Sequence, residues 1–228
     1  MKTTALLISS ALLSLTPFAS AQTTAEAQKA LTPSAVLDDL MAGNKRFTEN
    51  KLTPKNVPER IAKTSTGQYP KAVILSCLDS RVPVEKVFDQ GIGDIFVGRV
   101  AGNVENTDQL GSMEFATKLA GSKLIMVLGH TACGAVKGAC DGAEMGNLTG
   151  LLKKIEPAVR AVEGYKPEER NSKNIEFVNK VVTKNVQQTV ADIRSRSEVL
   201  SQLEKEGKIK IVGAVYDLKT GKVTLLDS

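Results

Sequence analysis

The sequence predicts an α/β fold: a mostly parallel central β-sheet flanked by helices, with an N-terminal helical arm ahead of the sheet and a short C-terminal edge strand. Three observations lead to it. Four short runs rich in β-branched residues, Lys71 to Cys77, Asp94 to Val100, Lys123 to His130 and Lys208 to Leu218, show little apolar–polar alternation, the pattern of strands buried on both faces. Segments with helical spacing fall between these runs, which is the signature of βαβ units. Finally, "LKTGKVTLL" places a tight turn at Gly221 between the last long run and a short apolar one.

Taken in order, the elements begin with "MKTTALLISSALLSLTPFASA". Here a lysine, a broken apolar core and the small-x-small triplet Ala19-Ser20-Ala21 read as a signal peptide over residues 1–21, cut near Ala21-Gln22. That predicts a secreted or periplasmic product with no membrane segment in its mature form, because no later stretch approaches 18 uninterrupted apolar residues. Residues 22–228 read as one domain.

Its N-terminal arm, about 32–50, is an amphipathic helix with Thr32 as cap and Pro33 in the first turn, carrying Val36, Leu37, Leu40, Met41 and Phe47 on one face. Residues 51–70, polar and proline-bearing, read as a surface connection. Helices are expected over Pro83 to Phe88, over Thr107 to Leu119, and along Leu148 to Leu203, where Ile175, Val178, Val182, Val186, Val190 and Ile193 keep one apolar face.

Charge narrows the function. Thirty basic and 25 acidic residues give a net charge of +5, but the two signs are interspersed and no basic run has aromatic neighbours, which argues against a nucleic-acid surface. The mild positive field favours small anions.

The chain holds one histidine and three cysteines. Cys77 ends the first strand run, and His130 and Cys133 follow the third, so in a parallel sheet their carboxyl ends lie side by side. Two thiolates and an imidazole suit Zn²⁺ in tetrahedral geometry. Three ligands leave a fourth position, for water or for the carboxylate of Asp79. "CLDSR" puts Asp79 and Arg81 at alternate positions after Cys77, so Arg81 can hold Asp79 ionised and leave the metal open. A Cys77–Cys133 disulfide and a purely structural Asp79–Arg81 ion pair are the blander alternatives. Cys140, on the helix after Cys133, reads as a small core residue, and Tyr216 as packing at the sheet's edge.

These residues carry a resemblance to the β-class carbonic anhydrases. Cys77-Leu78-Asp79-Ser80-Arg81 is similar to that family's Cys-x-Asp-x-Arg motif and His130-Thr131-Ala132-Cys133-Gly134 to its His-x-x-Cys-Gly motif. "GNKRF" (Gly43 to Phe47), "GRVAGN" (Gly98 to Asn103) and "VYDLKTGKV" (Val215 to Val223) extend the likeness over most of residues 35–228. The resemblance implies a zinc lyase with Cys77, His130 and Cys133 as metal ligands, interconverting CO₂ and bicarbonate by attack of a zinc-bound hydroxide on CO₂. It further implies Asp79 and Arg81 as catalytic residues and Gly102 lining the substrate site through its backbone. It also allows a closed, inactive form in which Asp79 is a fourth ligand. A homodimer or larger even-numbered homo-oligomer is also implied, with the N-terminal arm wrapping a neighbour. A hydrolase of CS₂ or COS on the same scaffold, and a catalytically silent zinc-binding or thiol-sensing protein, are the competing functions.

Overall fold

The computed structural model describes residues 24–227; the predicted leader and its cleavage point lie outside the described residues. Chain order runs α1 (Ala25–Ala30), α2 (Pro33–Thr48), α3 (Val57–Thr64), β1 (Ala72–Ser76), α4 (Val84–Val87), β2 (Ile95–Arg99), α5 (Thr107–Glu114), β3 (Leu124–His130), α6 (Gly134–Cys140), α7 (Gly146–Lys153) and α8 (Glu156–Ala161). It ends with α9 (Ile175–Arg196), α10 (Glu198–Lys205), β4 (Lys210–Tyr216) and β5 (Val223–Leu225).

The sheet order is β2-β1-β3-β4-β5, parallel except for β5, which pairs antiparallel to β4 beyond the turn at Gly221. All seven residues of β3 are buried, as expected of a strand covered on both faces. Alternate residues then feed two layers. Ala72, Ile74, Leu124, Met126 and Leu128 meet Val36, Leu37 and Leu40 of α2 and Val84, Val87 and Phe88 around α4. Val73, Leu75, Ile125 and Val127 meet Leu110 and Met113 of α5, Val186, Val190 and Ile193 of α9, and Leu200 and Leu203 of α10. A third cluster caps the carboxyl ends of the strands, where Cys77 and Cys133 join Val136, Ile155, Phe177, Val178 and Val182. No helix among the described residues is long and apolar enough to cross a membrane.

The arm covers its own sheet. Thr32 caps α2 by accepting from Ala35 N–H, and Val36 and Leu40 are fully buried within the same chain. The "GNKRF" stretch explains the close fit. At Gly43 a Cβ would stand 1.9 Å from the Phe88 carbonyl oxygen, so only glycine lets α2 approach that turn. Asn44 donates to the Val87 and Gly221 carbonyls and accepts from Val223 N–H, tying the arm to the C-terminal turn. Arg46 donates to Asp89, and Phe47 packs against the same core.

Several expectations are corrected. The connection 51–70 contains α3, capped by Asn56, whose Arg60 is buried against Asp94 at 2.9 Å. The stretch Leu148 to Leu203 is four helices, not one run: proline and glycine interrupt it near Pro157, Gly164 and Pro167, and Ser197 ends α9 while capping α10. Of the apolar face foreseen there, Ile175 is exposed at the helix start, and the residues from Val178 onward are buried. Helix Thr107 to Leu119 finishes in a π turn over Phe115–Leu119. Tyr216 lies one strand in from the edge and is buried in the arm-side core.

Candidate metal centre

Strand register brings the motifs together. Ser76 of β1 pairs with Leu128 of β3, so Cys77, one residue beyond, and His130, two beyond, emerge at nearly the same level. The chain leaves β1 toward β2 on one side and β3 toward β4 on the other, so the gap between their carboxyl ends is a topological switch point, where open α/β sheets place their sites. After His130 the backbone turns through Ala132 at φ +54°, and Cys133 caps α6.

The result is a buried group in which the ligand atoms of Cys77, His130 and Cys133 all lie within 4.8 Å of one another, among the described residues the one His/Cys/Asp/Glu cluster able to hold a metal. Both cysteines are free thiols with sulfurs 3.8 Å apart, so the disulfide alternative does not hold here. Two sulfurs each about 2.3 Å from a tetrahedral ion would be separated by roughly 3.8 Å.

His130 is fully buried, and its Nδ1 lies 3.0 Å from the Thr131 carbonyl oxygen. With Nδ1–H donating there, Nε2 presents its lone pair to the two sulfurs, and Nε2 has no hydrogen-bond partner. A buried nitrogen without a partner beside two thiols is a donor set that fits a metal ion of the zinc type. Among the thiols Cys77 ionises first: its thiolate accepts from the Cys133 thiol, with further help from the Asp79 and Gly102 backbone, and this drives the Cys133 pKa upward.

Asp79 stands beside the group, with one carboxylate oxygen 3.7 Å from His130 Nε2. Arg81 holds it: Nε donates to Oδ1 at 2.9 Å, Nη2 to Oδ2 at 2.6 Å, and the Arg81 backbone N–H to Oδ1 at 2.9 Å. Those side-chain bonds keep the carboxyl well below the usual carboxylate range. The carboxylate is thus engaged by arginine in this structure, the open arrangement. Arg81 and Leu78 are largely exposed, so the site opens to solvent on this side.

Gly102 lies against the cluster with φ +73°, and a Cβ there would meet Ile155 Cδ1 at 2.6 Å. Its N–H points at Cys77 Sγ, 3.4 Å away, and its carbonyl accepts from Asn185 of α9 at 2.7 Å. Cys140 is partly buried at the rim of the third cluster, its thiol pushed up to about 11 by burial, and stands outside the metal group.

Sequence reasoning missed three supports. Arg99, inside "GRVAGN", donates to the Cys77 carbonyl at 2.9 Å and to the Asp79 carbonyl, bracing the Cys77–Asp79 turn from behind. Asn185 and Asn179 of α9 hold the Gly102 carbonyl and the Ala132 N–H. A polar residue among the valines of the α9 stripe was the signal for Asn185.

Comparison with known proteins points to one family. A family profile described as carbonic anhydrase matches residues 72–223. A carbonic anhydrase 2 from Mycobacterium tuberculosis is 36% identical over 201 residues, covering 86% of this chain and 93% of its own length. A carbonic anhydrase from Emericella nidulans is 31% identical over 167 residues, 72% of each chain. In fold, a β-carbonic anhydrase from Aspergillus fumigatus superposes with a TM-score of 0.64 at 23% identity, covering 85% of this chain and 89% of that one. One of two tetrameric β-carbonic anhydrases from Sordaria macrospora gives 0.65 at 22% identity, covering 86% and 95%.

Proposed function

The chain belongs to the carbonic anhydrase family, in its β class, and is an enzyme of that kind; from this we propose that it holds one Zn²⁺ on Cys77, His130 and Cys133 and catalyses the reversible hydration of carbon dioxide to bicarbonate and a proton. The observation that carries the reading is the meeting of two free sulfurs 3.8 Å apart with an unpartnered imidazole nitrogen, beside a carboxylate engaged by arginine.

Zinc, when bound, supplies Lewis acidity that brings the pKa of a water toward ~7. The chain's own residues do the rest. Thr131, through its carbonyl, fixes the His130 tautomer that keeps Nε2 free to ligate. Asp79, held ionised by Arg81 beside the ligand group, would accept a hydrogen bond from the nucleophilic oxygen and so orient it toward the carbon of CO₂. Arg81 adds positive charge at the open mouth, where the negative charge of bicarbonate develops. Gly102 lines the site through its backbone, and its φ of +73° and its contact with Ile155 leave no place for a side chain. Since His130 is the only histidine, the released proton leaves through buffer, water or another side chain.

The same reading includes export by the leader at residues 1–21 and an even-numbered homo-oligomer. β2 supports the latter as an edge strand, with Ile92 exposed just ahead of it and Phe115 exposed against Phe96. The tetrameric relatives from Sordaria macrospora set the comparison. N-terminal sequencing of the product and sedimentation analysis test these two points.

The test of the activity is stopped-flow CO₂ hydration by the purified chain, with and without zinc, alongside Asp79→Ala. Hydration that needs zinc, and is lost in the variant while zinc is retained, is the expected outcome. A zinc-loaded wild type inactive at both neutral and alkaline pH would overturn the reading, and the same assay with CS₂ and COS separates the substrates.

A further inference from the structure

Asn185 is 2% exposed, set between Val182 and Val186 on the buried stripe of α9. A primary amide in such surroundings is unfavourable unless it is hydrogen-bonded. Its Nδ2 donates to one acceptor, the carbonyl of Gly102, at 2.7 Å. Gly102 in turn directs its N–H at Cys77 Sγ, at 3.4 Å. Nearer the start of the same helix, Asn179 uses its Oδ1 to accept from Ala132 N–H at 2.8 Å, within the loop that joins His130 to Cys133.

Both loops use left-handed backbone, at no cost in glycine but against preference in alanine. Gly102 sits at φ +73°, and Ala132, which carries a Cβ, at φ +54°. Left-handed backbone in a non-glycine residue persists only when its surroundings over-determine it. Here the surroundings are two asparagines of opposite polarity on one helix, one donating to the loop beside Cys77 and the other accepting from the loop between His130 and Cys133. Both bonds are made within the chain, between α9 and the two loops that carry the ligands.

We infer that α9 is a template for the metal site, with Asn179 and Asn185 as positioning residues that arrange Cys77, His130 and Cys133 before the ion arrives. This rests on the zinc reading above. Its consequence is that the ordering of the ligands is completed on folding rather than on binding, which raises affinity for the metal.

The test uses the full chain and Zn²⁺ titrated against a competing chelator, with Co²⁺ absorption spectra and the melting midpoint of the metal-free protein. Asn185→Leu removes the donor but suits the valine stripe, so its metal-free midpoint falls only by what an unpaired Gly102 carbonyl costs while Zn²⁺ binds about 10-fold or more weakly and the thiolate-to-cobalt bands shift. Asn179→Leu loses affinity on the same scale, whereas Asn179→Asp, which keeps an acceptor for Ala132 N–H, stays within about 3-fold of wild type. Should Asn185→Leu fail to fold, the Asn179 pair decides. Unchanged affinities and spectra in both leucine variants, or an equal loss in Asn179→Asp and Asn179→Leu, would refute the template. A wild type that takes up no Zn²⁺ sinks the zinc reading itself, and wild-type binding with indifferent variants sinks only this inference.

Discussion

Asp89 gathers two cations on one buried carboxylate, and Asp89→Asn measures what they contribute. The residue is 4% exposed at φ +51°. Arg46 of α2 donates to it at 2.6 Å, Thr53 through Oγ1 at 2.7 Å and through its backbone N–H, and the Lys55 ammonium pairs with its other oxygen. One carboxylate thus fastens the last turn of the arm and the following connection to the end of α4. Burial pushes this carboxyl up, but the hydrogen bonds from Lys55, Arg46 and Thr53 outweigh it and bring the pKa from 3.8 to about 2. At about 1.4 kcal/mol per unit, this amounts to roughly 2 kcal/mol of stability at neutral pH. A pKa lowered by folding stabilises above the unfolded value and ceases to do so as pH falls through the folded one. The contribution is therefore full at pH 7, about half gone near pH 3 and absent well below pH 2. Asparagine tolerates the left-handed backbone as well as aspartate does, so the substitution removes the charge without adding strain. Urea unfolding of the zinc-free protein at fixed concentration is expected to show a deficit of about 2 kcal/mol or more for Asp89→Asn at pH 7, because Arg46 and Lys55 lose their partner. That deficit should narrow toward pH 3. A gap of constant size from pH 7 to 3, or one under about 0.5 kcal/mol at pH 7, would refute the reasoning.

Three further outcomes are expected. Gly102→Ala forces a Cβ to within 2.6 Å of Ile155 Cδ1 at a backbone φ of +73°, so it should lower stability by about 1–3 kcal/mol and reduce zinc stoichiometry, read by melting and elemental analysis. With one histidine in the chain, CO₂ hydration under proton-transfer-limited conditions should speed up as imidazole buffer is raised; a flat response in stopped flow would show an internal proton carrier. Zinc at about 100 times its dissociation constant should raise apparent stability by roughly 2.7 kcal/mol, an increment that chelation reverses and that Cys133→Ser abolishes.

The metal group was legible because its chemistry sits in two short motifs at the ends of apolar runs, and parallel register does the joining. Cys77, Asp79, Arg81, His130 and Cys133 needed only the sheet order to meet. α3 was not legible, because Pro58 inside a polar stretch reads equally well as a loop, and only the Asn56 cap and the burial of Arg60 against Asp94 decide for a helix. The division at Ser197 was likewise hidden, since the apolar spacing continues into α10 and the break lies in one residue that serves as cap to both helices.

The supports of the site were hidden for a different reason. Arg99, Asn179 and Asn185 act on main-chain groups 22, 47 and 83 positions away, and a main-chain acceptor leaves no mark in the sequence of the segment it belongs to. Their own positions carry the trace: an arginine closing an otherwise apolar strand, and an amide interrupting a valine stripe. A polar group that folding removes from water must have a partner. A lone asparagine on a buried helical face therefore predicts a backbone group without secondary-structure pairing nearby. In a sheet protein such groups gather where strands stop, and those strand ends are where this chain keeps its sulfurs and its imidazole.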